Sequence, residues 1–93
     1  MNTLKKASCG TMESSDAYMK LEPIEGATQI ELQSVVEHQF GDSIRALAAE
    51  MLQEEGVENV RLSIVDRGAL ECTLRARLET LIARAREAGG ANA

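Results

Sequence analysis

The sequence predicts an α+β domain: a small three-stranded sheet, in the order strand–strand–helix–strand–helix, with two helices packed on one face. Three observations predict it. Three short stretches alternate apolar and polar residues with period two. Two longer stretches carry an apolar stripe at helical spacing. The length, 93 residues, suits one domain with a small core.

Residues 1–10 show no periodicity and end in Gly10, so they are expected to form a flexible leader. From Asp16 to Glu22, Ala17, Met19 and Leu21 share one face, while Asp16, Tyr18, Lys20 and Glu22 share the other. Pro23 lacks a backbone donor and Gly26 permits a reversal, which makes residues 22–28 a turn or short loop. Alternation resumes at Gln29, with Ile30 and Leu32 inward and Glu31 and Gln33 outward. These two strands are expected to pair as an antiparallel hairpin.

Ser34-Val35-Val36-Glu37 then fits a capping box at a helix start. Val36, Phe40, Ile44, Leu47, Met51 and Leu52 make the stripe of that helix. Gly41 within it costs ~1 kcal/mol relative to Ala, and marks a kink or a later start capped by Asp42. Gly56 is a suitable stop. Residues 59–65 alternate again, Val60, Leu62 and Ile64 against Arg61 and Ser63, as a third strand. Asp66-Arg67-Gly68 is turn chemistry. Leu70, Leu74, Leu78, Leu81, Ile82 and Ala85 form the second helical stripe. Residues 89–93 are expected to fray, leaving a single domain over residues 11–88. If the second and third strands are neighbours, the helix between them makes a right-handed parallel crossover the default.

Composition excludes several function classes. Ten Lys and Arg against fifteen Asp and Glu give a net charge of -5, which disfavours nucleic acid and anionic membrane surfaces as partners. Tyr18 and Phe40 are the whole aromatic content, so the core must be aliphatic and base-stacking platforms are missing. No apolar run approaches the ~20 residues that span a bilayer. The start, MNTLKKASCG, has two lysines with no apolar stretch behind them and does not read as a signal peptide. Cys9 and Cys72 belong to no CxxC, and are expected to be reduced thiols in a cytoplasmic protein. Cys9 falls in the leader; Cys72 is expected to be a small core residue on the last helix.

Catalytic equipment is sparse. His38 is the one histidine, and no cluster has metal-ligand spacing. There is no phosphate-binding loop and no nucleophile elbow. The sequence is therefore expected to hold no catalytic residue and no metal site. Arg75, Arg77, Arg84 and Arg86 spread around the last helix. They suit surface ion pairs, or a docking face for a partner or a phosphate-bearing group. Arg67 suits either a turn position or a functional contact. What remains is Glu13-Ser14-Ser15-Asp16, two exposed hydroxyls between two carboxylates. They are either a polar turn or an attachment point for chemistry the chain cannot perform itself.

These residues resemble a known family. GTMESSDAYMKLEP, Gly10 to Pro23, is similar to the G-T-x-E-S-G-D signature of the citrate lyase acyl carrier protein, the gamma subunit of that lyase. SVVEHQFGDSI from Ser34 and VDRGALECTLRARLETLIARA from Val65 extend the likeness to about Ala85. The resemblance implies that Ser14, the serine after the glutamate, carries a prosthetic group. Ser15 stands where the family most often has glycine. It gives up that residue's backbone freedom and adds a second candidate hydroxyl.

The implied cofactor is 2'-(5-phosphoribosyl)-3'-dephospho-coenzyme A, joined to Ser14 through a phosphodiester, with Ser15 as the alternative. Its thiol would hold acetyl and citryl thioesters while citrate is cleaved to oxaloacetate and acetate. The chain itself would be a non-catalytic carrier. The implied partners are the lyase alpha subunit for acyl transfer, the beta subunit for citryl cleavage, and a prosthetic-group transferase. The rival readings are a citramalate lyase or malonate decarboxylase carrier, an unmodified assembly subunit, and a small thiol enzyme using Cys9.

Overall fold

The computed structural model describes residues 4–90. Its elements run β1 (Ala7–Gly10), β2 (Ala17–Pro23), β3 (Gln29–Ser34), α1 (Glu37–Glu54), β4 (Val60–Asp66) and α2 (Glu71–Gly90). The α+β class holds, with two helices, but the sheet has four strands rather than three, in the order β1-β2-β4-β3.

The extra strand comes from the expected leader. Ala7–Gly10 pairs antiparallel with β2, from Ala7 opposite Leu21 to Gly10 opposite Tyr18. Cys9 is buried opposite Met19, the Lys5 amide donates to the Ala85 carbonyl at 3.2 Å, and Leu4 packs on the core. The flexible leader is thus corrected over its described part; residues 1–3 lie outside the described residues. The strand escapes a periodicity reading because four residues, three of them Ala, Ser and Gly, offer too little contrast. At the other end α2 runs through Gly90, so the expected frayed segment begins as helix. Each added residue of an existing helix gains a backbone bond, which offsets the poor propensity of glycine. Residues 91–93 lie outside the described residues.

The expected hairpin between β2 and β3 is also corrected, because β4 lies between them. β2 pairs antiparallel with β4, from Ala17 opposite Asp66 to Pro23 opposite Val60. β3 pairs parallel with β4, from Gln29 opposite Arg61 to Ser34 opposite Asp66. Burial explains the order. Val60, Leu62 and Ile64 of β4 are all buried, whereas Ile30 and Leu32 of β3 are only half-buried. The most apolar strand takes the centre and the weaker one the edge. The connection from β3 through α1 to β4 joins parallel neighbours, as a crossover requires.

Both helices cover the same sheet face, α2 against β1 and β2, and α1 against β3. Met19, Leu21, Leu62 and Ile64 meet Ile44, Ala48, Met51 and Leu52 from α1 and Leu74, Leu78, Leu81, Ile82 and Ala85 from α2. The opposite face carries Lys20, Arg61, Ser63 and Glu31, with Arg61 between Glu22 at 3.5 Å and Glu31 at 3.7 Å.

Three details depart from expectation. Cys72 is exposed, because α2 turns its Leu74–Leu78–Leu81 stripe inward and residue 72 away from it. Phe40, 52% exposed, leaves the α1 stripe, and Leu70, 70% exposed, precedes α2. Ser34 forms no capping box, since α1 starts at Glu37 after Val36 without a side-chain cap. Instead the Ser34 hydroxyl donates to Asp66 Oδ2 at 2.7 Å and accepts from the Val36 amide at 3.0 Å.

Asp66 is 1% exposed, and its Oδ1 also accepts from the Ala69 amide at 2.9 Å. Replacing it with Ala strands two donors at a buried strand end. Asp66→Ala is expected to cost about 2–4 kcal/mol in urea unfolding. A loss below about 0.5 kcal/mol would show that this carboxylate does not hold the β3 and β4 ends together.

Candidate functional site

Ser14 and Ser15 lie between β1 and β2, at the tip of a hairpin whose arms are both in the sheet. Gly10 makes the tip possible. Its φ is 95°, and a Cβ there would sit 1.9 Å from the Ala17 carbonyl oxygen. Only glycine tolerates both conditions. The Thr11 amide then donates to the same Ala17 carbonyl at 3.2 Å.

Inside the tip, the Asp16 amide donates to the Glu13 carbonyl at 3.2 Å, closing a four-residue β-turn. Ser14 takes its second position and Ser15 its third. Ser15 has φ 66°, the left-handed value that the third position of a type II turn requires and glycine supplies most easily. The Gly-to-Ser departure from the family signature therefore falls on the one turn residue where glycine has an advantage.

Four ties hold this turn to the body. The Ser15 amide donates to the Arg67 carbonyl at 2.7 Å, and the Arg67 amide donates to the Asp16 carbonyl at 2.8 Å. Arg67 Nη1 reaches back to the Met12 carbonyl at 3.0 Å. Asp16 accepts two bonds from Arg77 of α2, Nε to Oδ1 at 2.9 Å and Nη2 to Oδ2 at 2.6 Å. Its carboxylate takes two more, from the Thr11 hydroxyl at 2.6 Å and the Ala17 amide at 2.7 Å. The side chain of Asp16 is 14% exposed. The paired bonds from Arg77 first, then the Thr11 hydroxyl and the Ala17 amide, hold its carboxyl well below the usual carboxylate range. The same pairing raises Arg77 above its ordinary value.

Ser14 itself is exposed, and its hydroxyl has no hydrogen-bond partner among the described residues. The arrangement is a primary alcohol presented to solvent on a fixed corner. Sequence reasoning found both serines, but missed Gly10 as a steric requirement and Arg77 as the partner of Asp16. The sequence leaves Arg67 between a turn role and a contact role, and the structure gives it the turn role. The other arginines of α2 make ion pairs or carbonyl contacts: Arg75 with Glu71 at 3.1 Å, Arg86 with Glu55 at 2.8 Å, and Arg84 with the Ser8 carbonyl at 2.9 Å.

Cys9 is 4% exposed, so its thiol is withdrawn from solvent. It sits on edge strand β1, while His38 belongs to α1, which packs against the opposite edge strand β3. The two are not brought together. Among the described residues, no group of three or more His, Cys, Asp or Glu is placed to hold a metal ion, and no helix is long and apolar enough to cross a membrane.

Residues 4–85 match the model of the family described as malonate decarboxylase delta subunit. The chain is 51% identical over 81 residues to the citrate lyase acyl carrier protein of Edwardsiella ictaluri, covering 85% of this chain and 82% of that protein. It is 44% identical to the protein of the same name from Escherichia fergusonii, over 94% of this chain and 91% of the other. For that of Treponema denticola the identity is 40%, over 94% and 99%. Among solved structures, it is similar to a chain in the crystal structure of a Pseudomonas malonate decarboxylase hetero-tetramer in complex with malonate. The TM-score is 0.73 at 23% identity, over 88% of this chain and 84% of the other, a likeness of fold.

Gly10→Ala should lower stability by roughly 2–4 kcal/mol in urea unfolding, from overlap with the Ala17 carbonyl and a left-handed alanine. A change below about 0.5 kcal/mol would contradict the steric reading. Asp16 predicts a pH dependence. Its folded pKa is depressed, so its contribution is complete above the ordinary value of 3.8 and is lost as pH falls below it. The thermal midpoint of the native protein should therefore drop as pH is lowered through that window. Asp16→Asn should start lower and drop less; parallel curves would contradict the pairing.

Proposed function

The chain belongs to the citrate lyase acyl carrier protein family, whose family model is described as malonate decarboxylase delta subunit, and from that premise we propose that Ser14 is the residue through which it carries its acyl group. The role is that of an acyl carrier, and such a carrier implies a covalently attached prosthetic group. The observation that carries the attachment to this turn is exposure: the hydroxyls of Ser14 and Ser15 are both exposed and unengaged on a turn tied from both sides. Of the two, Ser14 is the serine that follows the glutamate in the family signature, while Ser15 fills the left-handed position with its amide bonded to Arg67.

The proposed group is 2'-(5-phosphoribosyl)-3'-dephospho-coenzyme A, held through a phosphodiester. The residues present fit it. An exposed primary alcohol can form the ester without disturbing the core, and the Arg67 guanidinium lies against the same turn. When bound, the group supplies a terminal thiol on which an acyl unit travels as a thioester. The chain's own work is positional. Thr11, Asp16, Arg67 and Arg77 fix the point of attachment, and Glu13 keeps the tip hydrated. A tether raises the local concentration of its cargo at each site it can reach, making encounters nearly intramolecular.

The chain is then a non-catalytic subunit working with a lyase alpha subunit, a beta subunit and a prosthetic-group transferase. The names of the relatives favour citrate over citramalate or malonate as the acid processed. Support for a multi-subunit setting comes from the solved structural neighbour, itself part of a hetero-tetramer. Two free cysteines accord with a reducing cytoplasm.

Purification from the native host, or with the native transferase and its auxiliary enzymes, tests the site. Intact mass and peptide mapping should show one adduct, on Ser14. Ser14→Ala should abolish it, and Ser15→Gly should keep it. An adduct on Ser15 would move the site. A functional protein with neither serine modified would favour the unmodified assembly subunit.

A further inference from the structure

Seven arginines lie within the described residues, and five have a carboxylate within ion-pair distance: Arg45, Arg61, Arg75, Arg77 and Arg86. Arg84 and Arg67 have carbonyl partners instead. In a chain with fifteen Asp and Glu against ten Lys and Arg, an arginine left without a carboxylate is notable for its location. Arg84 sits against Ser8, on the β1 side. Arg67 sits against the serine turn.

Its backbone is bonded to Ser15 and Asp16 on both sides, and its side chain folds back so that Nη1 meets Met12, two residues before Ser14. A guanidinium has five N–H donors, and this one donates a single bond to a neutral carbonyl. The group is exposed, and its charge is uncompensated where Arg77's is neutralised by Asp16. Guanidinium and phosphoryl oxygens match in paired, charge-assisted bonds.

We propose that Arg67 is a phosphate-binding residue: its guanidinium engages the phosphoryl oxygens of an ester formed on Ser14. This deepens the attachment reading and rests on Ser14 being the ester site. In that role Arg67 offsets the repulsion a phosphate would meet from Glu13, the nearest unneutralised carboxylate in the turn. It also restrains the first bond of the attached arm, so that the arm leaves the turn in a defined direction.

The test places a phosphate on Ser14 without any modifying enzyme, by genetically encoded phosphoserine, and follows it by phosphorus NMR. A phosphoserine ordinarily has its second pKa at about 6. The groups facing it are Glu13 and Asp16 from the hairpin, Arg67 from the β4–α2 turn, and Arg77 from α2, whose charge is balanced by Asp16. The native chain should titrate about 0.5–1 pH unit below its Arg67→Gln variant, with Arg67→Lys between them. The Arg67 side-chain N–H signals of the native chain should also shift on phosphorylation, a readout that needs no variant.

Equal titration in all three proteins, or side-chain signals unmoved by the phosphate, would overturn the proposal. An Arg67 that merely braces the turn would instead lower the thermal midpoints of the unmodified and phosphorylated proteins alike. Because the phosphate is installed directly, this outcome is separate from whether the coenzyme adduct forms in the native host.

Discussion

A carboxylate in an aliphatic core is costly unless its oxygens are fully engaged. Asp66 meets that condition at the end of the central strand. One oxygen takes the Ser34 hydroxyl and the other the Ala69 amide, while its own carbonyl takes the Val35 amide at 3.2 Å. Ala17 and Ser34 lie opposite it in register. The start of β2, the end of β3 and the approach to α2 therefore converge on one residue. The next residue, Arg67, grips the serine turn with amide, carbonyl and guanidinium. The polar anchor of the fold and the clasp of the site are consecutive positions in the chain.

That adjacency explains why an acidic, aromatic-poor protein can hold a surface turn so firmly. Burial of aliphatic side chains is non-directional and sets no angle for a hairpin tip. The direction comes from paired bonds: Arg77 to both oxygens of Asp16, and Thr11 and Ala17 completing its coordination. Among the described residues, no buried side-chain nitrogen or oxygen lacks a partner. The hydroxyls left over in this turn, those of Ser14 and Ser15, are both on the outside.

The elements with strong periodicity were legible in the sequence: the alternation of β2, β3 and β4, and the stripes of both helices. Local pattern also located the serine turn. What it did not carry was anything set by a remote partner. β4 enters between β2 and β3 because its inward residues are the most apolar, a comparison between strands rather than a property of one. Asp16 and Arg77 are separated by 61 positions, and Met12 and Arg67 by 55. β1 was missed because Ala7, Ser8 and Gly10 are small, and only Cys9 buries fully. The Ser15 departure from glycine is a usable local signal, since it marks a position that gives up glycine's backbone freedom, and Ser15 has a φ of 66°.

A carrier must combine motion with aim, and the two demands fall on different parts of the assembly. Mobility in the polypeptide near the attachment point would widen the volume the cargo explores and so dilute it at every destination. Mobility in a long tethered group already suffices to reach separate sites. The structure puts stiffness at the root: a glycine that admits no side chain, a left-handed residue held by its amide, and a bidentate ion pair to the nearest helix. On the proposed attachment at Ser14, such a root would fix where the tether begins relative to the body of the domain. A serine in a loose leader would leave that origin undefined, so under the proposed attachment the pairing of β1 with β2 serves the carrier role as well as the sheet.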